Sequence, residues 1–85
     1  MKKIAFERRA FEDFTDWATT DRQTHKRIVA LIADILREPF SGLGKPEPLR
    51  HEMQGYWSRR IDQEHRLVYR VDPDAVTIIA CKYHY

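Results

Sequence analysis

Gly55-Tyr56-Trp57-Ser58-Arg59-Arg60-Ile61, Asp62-Gln63-Glu64, His65-Arg66-Leu67-Val68-Tyr69-Arg70-Val71, Asp72-Pro73-Asp74 and Ala75-Val76-Thr77-Ile78-Ile79-Ala80-Cys81-Lys82-Tyr83 follow one another along the chain. Their reading decides the fold. The first, third and fifth segments are rich in aromatic and β-branched residues, and the two between them are short and polar. Three such runs joined by tight turns predict an antiparallel meander. Alternation along a strand then sorts the side chains by face. Ile61, Leu67, Tyr69 and Val71 point to one side, and Arg60, Arg66, Val68 and Arg70 to the other. Arg59 fits neither face and is expected at an edge. In the last run Lys82 and His84 share a face, opposite Tyr83 and Tyr85.

Upstream of the meander the period changes. Ile4 and Phe6 alternate with Lys3 and Ala5, a short half-buried strand. From Glu7, the residues Ala10, Phe11, Phe14, Trp17 and Ala18 recur at helical spacing to about Thr19. Thr20 and Gln23 have the spacing of a capping box. Ile28, Leu31, Ile32, Ile35 and Leu36 form the apolar stripe of a second helix, which Pro39 and Gly42 stop. Leu49 to Met53 reads as short and irregular. The expected architecture is α+β: two N-terminal helices packed on one face of a twisted antiparallel sheet, leaving a face of arginines, a lysine and a histidine.

The 85 residues, 42% of them apolar and 12% aromatic, allow one small domain spanning 1–85, with one core. A core this modest makes a partner subunit plausible. The single cysteine, Cys81, excludes a disulfide framework or a cysteine zinc site within the chain, and its apolar run reads as core. No apolar stretch is long enough to span a bilayer, and Met1-Lys2-Lys3-Ile4 leads into no apolar signal region, so the expected location is the cytoplasm.

The formal net charge is only +2, but residues 45–70 concentrate five arginines among Tyr56, Trp57 and Tyr69. Guanidinium groups interleaved with aromatics suit a polyanion, because guanidinium binds phosphate bidentately and aromatic rings stack on splayed bases. A solvated face of a soluble protein has the same composition. Three further features bear on that choice. Glu47 stands between Pro46 and Pro48 on a stiffened loop, as a carboxylate that must be aimed would. Arg60 and Arg66 share a sheet face. His84, one residue from the chain end, titrates near neutral pH by type, and an apolar run leading straight into it suggests an end held in place for use. RNA is cut by its own 2′-hydroxyl when one group removes that proton, another protonates the departing 5′-oxygen, and cations neutralise the phosphate. Glu47, His84 and Arg66 supply those residue types, and the reaction calls for no metal and no cofactor.

Four segments in order carry a resemblance: Lys45-Pro46-Glu47-Pro48-Leu49, Gly55-Tyr56-Trp57-Ser58-Arg59-Arg60-Ile61, Glu64-His65-Arg66-Leu67-Val68-Tyr69 and Ala80-Cys81-Lys82-Tyr83-His84-Tyr85. They resemble the YoeB/Txe toxins, RelE-type mRNA interferases of bacterial toxin–antitoxin modules, over essentially the whole chain. The resemblance implies cleavage of mRNA in the ribosomal A site. It implies Glu47 as general base, Arg66 as phosphate and transition-state clamp, His84 as general acid and Tyr85 as a substrate-positioning residue. It places Arg59, Arg60 and Glu64 in or beside the pocket in supporting roles, with Lys45 and Lys82 adding phosphate contacts. Arg50 stands where the family has lysine, which leaves its role open. Implied partners are the ribosome with its mRNA, a second copy of the chain, and a YefM/Axe-like antitoxin that folds on binding. Two alternatives share the fold or the basic face: a ParE-like gyrase-inhibiting toxin, and an RNA- or ribosome-binding module without catalysis. Neither has a use for Glu47, Arg66 and His84 together.

Overall fold

The computed structural model describes residues 2–83. Its elements follow the order β1 (Lys3–Phe6), α1 (Arg8–Thr20), α2 (Arg22–Arg37), β2 (Glu47–Pro48), β3 (Tyr56–Arg60), β4 (Arg66–Val71) and β5 (Ala75–Ala80), with a 3₁₀ turn at His51–Met53. The five strands form one sheet in the order β1-β5-β4-β3-β2. β2 to β5 pair antiparallel as the turn chemistry requires, while β1 runs parallel to β5, with Lys3 opposite Ala75 and Phe6 opposite Ile78. That parallel pairing follows from the helical hairpin, which carries the chain out of β1 and back before the meander begins.

The hairpin corner is one residue. Asp21 ends α1, its N–H bonding to the Trp17 carbonyl at 2.9 Å, and also caps α2. Its carboxylate accepts from the Thr24 N–H at 3.2 Å and from the Thr24 hydroxyl at 2.9 Å. The capping box read at Thr20 and Gln23 is thereby corrected by one position, since the Thr20 hydroxyl bonds back to the Asp16 carbonyl inside α1. Aspartate competes well for this place because its side chain satisfies the unpaired amides of the first turn.

α1 and α2 lay Ala10, Ile28, Leu31, Ile32 and Ile35 onto Ile61, Leu67, Tyr69, Val76, Ile78 and Cys81, with Phe6, Phe14, Trp17 and Trp57 packed around them. Trp57 therefore belongs to the helix side of the sheet, 4.9 Å from the Phe40 ring, and not to a base-stacking platform. The strand alternation read from the sequence holds through β3 and β4: Arg60 opposes Arg66, Ser58 opposes Val68, and Tyr56 opposes Arg70.

Two further expectations change. β5 ends at Ala80, not Tyr83, and a bulge interrupts it, because Tyr69 pairs with Ile78 but Val68 pairs with Ala80. The extra residue, Ile79, re-aims everything downstream. Arg59, expected at an edge, lies on the helix face opposite Leu67 and is fully buried.

Candidate functional site

Register lines up Glu47, Ser58, Val68 and Ala80 in one row across β2, β3, β4 and β5 on the face away from the helices. The three inner members are small or short, and all three are buried although no helix covers them. They form a floor beneath longer side chains. Arg66, at the start of β4, reaches across it: one guanidinium nitrogen, Nη1, donates to Glu47 Oε1 at 2.8 Å and to Ser58 Oγ at 3.2 Å. Both charged side chains keep an exposed surface, 25% for Arg66 and 55% for Glu47. The remaining guanidinium donors, on Nε and Nη2, make no hydrogen bond among the described residues, so the geometry offers a carboxylate and a partly free guanidinium side by side. Such an arrangement can accept a proton and receive a phosphate within one site.

Glu47 is aimed from both sides. The pairing of β2 with β3 sets Glu47 opposite Ser58 and Pro48 opposite Trp57. Behind it, the 38–45 loop is held from below by Arg59. That guanidinium donates to Asp34 Oδ2 at 2.6 Å, to the carbonyls of Glu38, Ser41 and Leu43 at 2.7–3.0 Å, and to the Tyr69 hydroxyl at 3.2 Å. Tyr69 in turn donates to the Pro39 carbonyl at 2.6 Å, and burial pushes its phenol pKa up. Asp34 accepts the Leu43 N–H at 2.9 Å and bonds Arg37 as well. The Leu43 amide, then Arg37, then Arg59 hold its carboxyl far below the usual carboxylate range. A buried arginine has thus become the hub of the loop, because its five donors match loop carbonyls that no strand satisfies.

The other expected residues separate into two groups. Arg60 is exposed beside Arg66, and its backbone N–H bonds the Gly44 carbonyl at 2.7 Å. Lys45 is exposed on the loop, in a left-handed conformation with φ 52°. Glu64 is exposed at the β3–β4 turn, 3.5 Å from His65 Nε2. Lys82 departs from the shared face expected for it. Beyond the bulge and the end of β5, its ammonium lies 5.5 Å over the Trp17 ring of α1 and shares a cleft with Arg9 and Asp13. His84 and Tyr85 lie outside the described residues.

A family model described as the YoeB-like toxin of bacterial type II toxin–antitoxin systems matches residues 6–85. The chain belongs to this family. Toxin YoeB of Mycobacterium bovis is 56% identical over 85 residues, all of both chains. The YoeB dimer from Staphylococcus aureus superposes with a TM-score of 0.92 at 45% identity, covering 99% of this chain and 98% of that one. The heterotetrameric YoeB-YefM toxin–antitoxin complex from the same organism gives a TM-score of 0.91 at 44% identity, covering 100% and 99%.

The structure brings two further residues of this toxin to the site, Ser58 and Arg27. Ser58, the second partner of Arg66, shares the strand parity of Arg60, and that parity alone is enough to put it on the site face. Arg27, on α2, reaches the edge of the same region and lines a cleft of about 460 Å³ with Arg60, Asp62 and Arg66. Nothing local to α2 signals that convergence, which exists only once the helix lies across the sheet. No helix among the described residues is long and apolar enough to cross a membrane.

Proposed function

We propose that this toxin is a ribosome-dependent endoribonuclease that cuts mRNA in the A site. The Glu47 carboxylate takes the proton of a 2′-hydroxyl, and the freed oxygen attacks the adjacent phosphorus. The bond to the 5′-oxygen breaks, His84 donates a proton to that oxygen, and a 2′,3′-cyclic phosphate remains. Arg66 neutralises the charge that grows on the phosphoryl oxygens, where a fixed cation lowers the barrier most. Tyr85 positions the substrate. Arg60 and Lys45 add phosphate contacts, Lys82 contributes charge from the α1 side, Glu64 shapes the β3–β4 turn, and Arg59 supports from below. The cut needs no metal.

One observation carries this reading: Glu47 and Arg66 meet at 2.8 Å over a floor of small residues, with the Nε and Nη2 donors of the partly exposed Arg66 unused among the described residues. An ion pair exposed to this degree contributes at most about 1 kcal/mol to stability, so poise for a ligand is the better account of it. The partners proposed are the ribosome with its mRNA, a second copy of the chain and a YefM-like antitoxin, following the dimer and the heterotetramer of the S. aureus relatives. Ribosomes place the working toxin in the cytoplasm.

Primer-extension mapping of mRNA on programmed ribosomes tests the reading. Wild-type toxin produces discrete A-site cuts, and Glu47→Gln and Arg66→Ala do not. Intact mRNA with wild-type toxin, or full cleavage by Glu47→Gln, overturns it.

A further inference from the structure

After β5 ends, the chain runs through Cys81, Lys82 and Tyr83 without a strand partner in the sheet sense, yet it is tightly held. The Trp17 indole N–H donates to the Cys81 carbonyl at 3.0 Å. Tyr83 has φ 62°, a left-handed conformation that costs a non-glycine residue about 1–2 kcal/mol. Both of its backbone polar groups end on two consecutive residues of the β4 start. The Tyr83 N–H donates to His65 Nδ1 at 2.7 Å, and the Tyr83 carbonyl accepts the Arg66 N–H at 2.7 Å. His65 is buried, with its ring edge-on to Trp17 at 5.0 Å and 5.6 Å from the Tyr83 ring. The His65 backbone N–H donates to Asp62 Oδ1 at 2.7 Å, and Glu64 Oε1 lies 3.5 Å from Nε2.

A buried histidine satisfied by backbone is usually a packing residue. Here the group it satisfies belongs to a strained residue, and that residue is bonded directly to His84. Local strain persists only where its surroundings enforce it, and such positions cluster at functional sites. Because Nδ1 accepts the Tyr83 N–H, the ring is held by that nitrogen, and its other nitrogen, Nε2, lies on the Glu64 side.

We propose that His65 is a positioning residue of the cleavage site, which fixes the Tyr83 peptide beside Arg66, the point from which the chain leads into His84. This rests on the cleavage reading above. His65 touches no substrate in this role, and its neighbour Arg66 supplies both the phosphate clamp and the second half of the grip on Tyr83. Two consecutive residues, 65 and 66, therefore tie the clamp to the peptide that leads into the proposed acid. A displacement of about 1 Å in a catalytic group is worth on the order of a hundredfold in rate.

The test exploits which imidazole nitrogen is used. Asparagine at 65 carries its amide oxygen close to the place of Nδ1, whereas glutamine reaches toward the place of Nε2 and leaves the Tyr83 N–H without an acceptor. His65→Asn, His65→Gln and His65→Ala are compared with wild type for single-turnover mRNA cleavage on saturating ribosomes, for the ribosome concentration giving half-maximal rate, and for exchange protection of the Tyr83 amide. The expected result is a rate near wild type with a protected amide for Asn. For Gln the expected result is a loss on the order of a hundredfold in rate, an unprotected amide and an unchanged half-maximal concentration. The alanine variant is read only if its melting curve remains cooperative. Gln cutting as fast as wild type, or Asn as slow as Gln, overturns the proposal. Intact mRNA with the wild-type toxin is a different result, which removes the cleavage reading and this inference with it.

Discussion

Arg59 Nη1 and Asp34 Oδ2 meet at 2.6 Å beneath the loop that leads to Glu47, with the arginine wholly out of water. The pair does what a strand partner does elsewhere in the sheet. It collects the carbonyls of Glu38, Ser41 and Leu43 and the N–H of Leu43, and so closes the backbone accounts of a loop rich in glycine and proline. Removing one member of a buried pair leaves an uncompensated charge, which typically costs about 3–5 kcal/mol. Arg59→Ala is expected to destabilise the fold by that order, read as a lower urea midpoint with an unchanged slope. A midpoint equal to wild type would show that the loop holds itself.

The same geometry gives a pH dependence with a definite sign. Asp34 has its pKa pushed well down, first by the Leu43 amide, then by Arg37 and Arg59. A carboxyl whose folded pKa lies below its unfolded one adds stability that is fully present above the unfolded value, about 3.9. That stability is lost as the pH falls through the region below it. The melting temperature should therefore fall steeply on acidification below about pH 4, and Asp34→Asn should flatten that limb while lowering stability near neutrality. An acid limb of wild-type steepness in Asp34→Asn would assign it to other carboxyls.

The helical stripes, the meander and the face assignment of Arg60 and Arg66 were legible because each is a local period that the sheet preserves. Arg59 was not, because a charged residue on the apolar parity reads as an edge. Its partner Asp34 lies a helix away, and only the assembled fold shows that loop carbonyls await it. Lys82 was misplaced for a related reason: a bulge at Ile79 leaves no mark in a run of β-formers, and one extra residue spoils every parity argument after it. Glu47 was legible through its two flanking prolines, whereas its contact with Arg66 depends on a pairing of only two residues in β2.

Gly42 and Gly55 both have positive φ, 120° and 96°, but only one of them is crowded. A Cβ on Gly42 would stand 2.2 Å from Asp34 Oδ2, while one on Gly55 would meet nothing within 4 Å. Gly42→Ala is expected to destabilise distinctly more than Gly55→Ala, whose cost is confined to the backbone term of about 1 kcal/mol. Chemical denaturation of the two variants side by side checks this. Equal losses would mean that the Asp34 carboxylate moves aside without consequence.

Cys81 is buried in the core, donates weakly to the Ala10 carbonyl at 3.5 Å, and has its thiol pKa pushed up to about 12, first by burial and then by Asp13. Thiolate is the reactive form, so the folded toxin should resist alkylation at pH 8 and label fully in denaturant. Modification rates followed by mass spectrometry then report opening of the α1–β5 contact. Rapid labelling under native conditions would contradict the packing described for it.

Glu47 and Arg66 should separate activity from stability. Their pair is partly exposed, so breaking it costs at most about 1 kcal/mol, and Glu47→Gln and Arg66→Lys should melt close to wild type. Their effects on cleavage should differ in kind. Glutamine keeps the size and the contact to Arg66 but cannot take a proton, so the rate falls by about a hundred- to ten-thousand-fold. Lysine keeps the charge but not the fork that spans Glu47, Ser58 and a phosphate, so its loss should be smaller, though clear. Ribosome binding should survive both, with its salt dependence nearly unchanged in Glu47→Gln. The measurements are thermal melts, cosedimentation with ribosomes across a salt series, and single-turnover cleavage. Melting losses that match the loss of activity would make the pair a structural brace, and equal cleavage losses for the two variants would deny Arg66 its bidentate role.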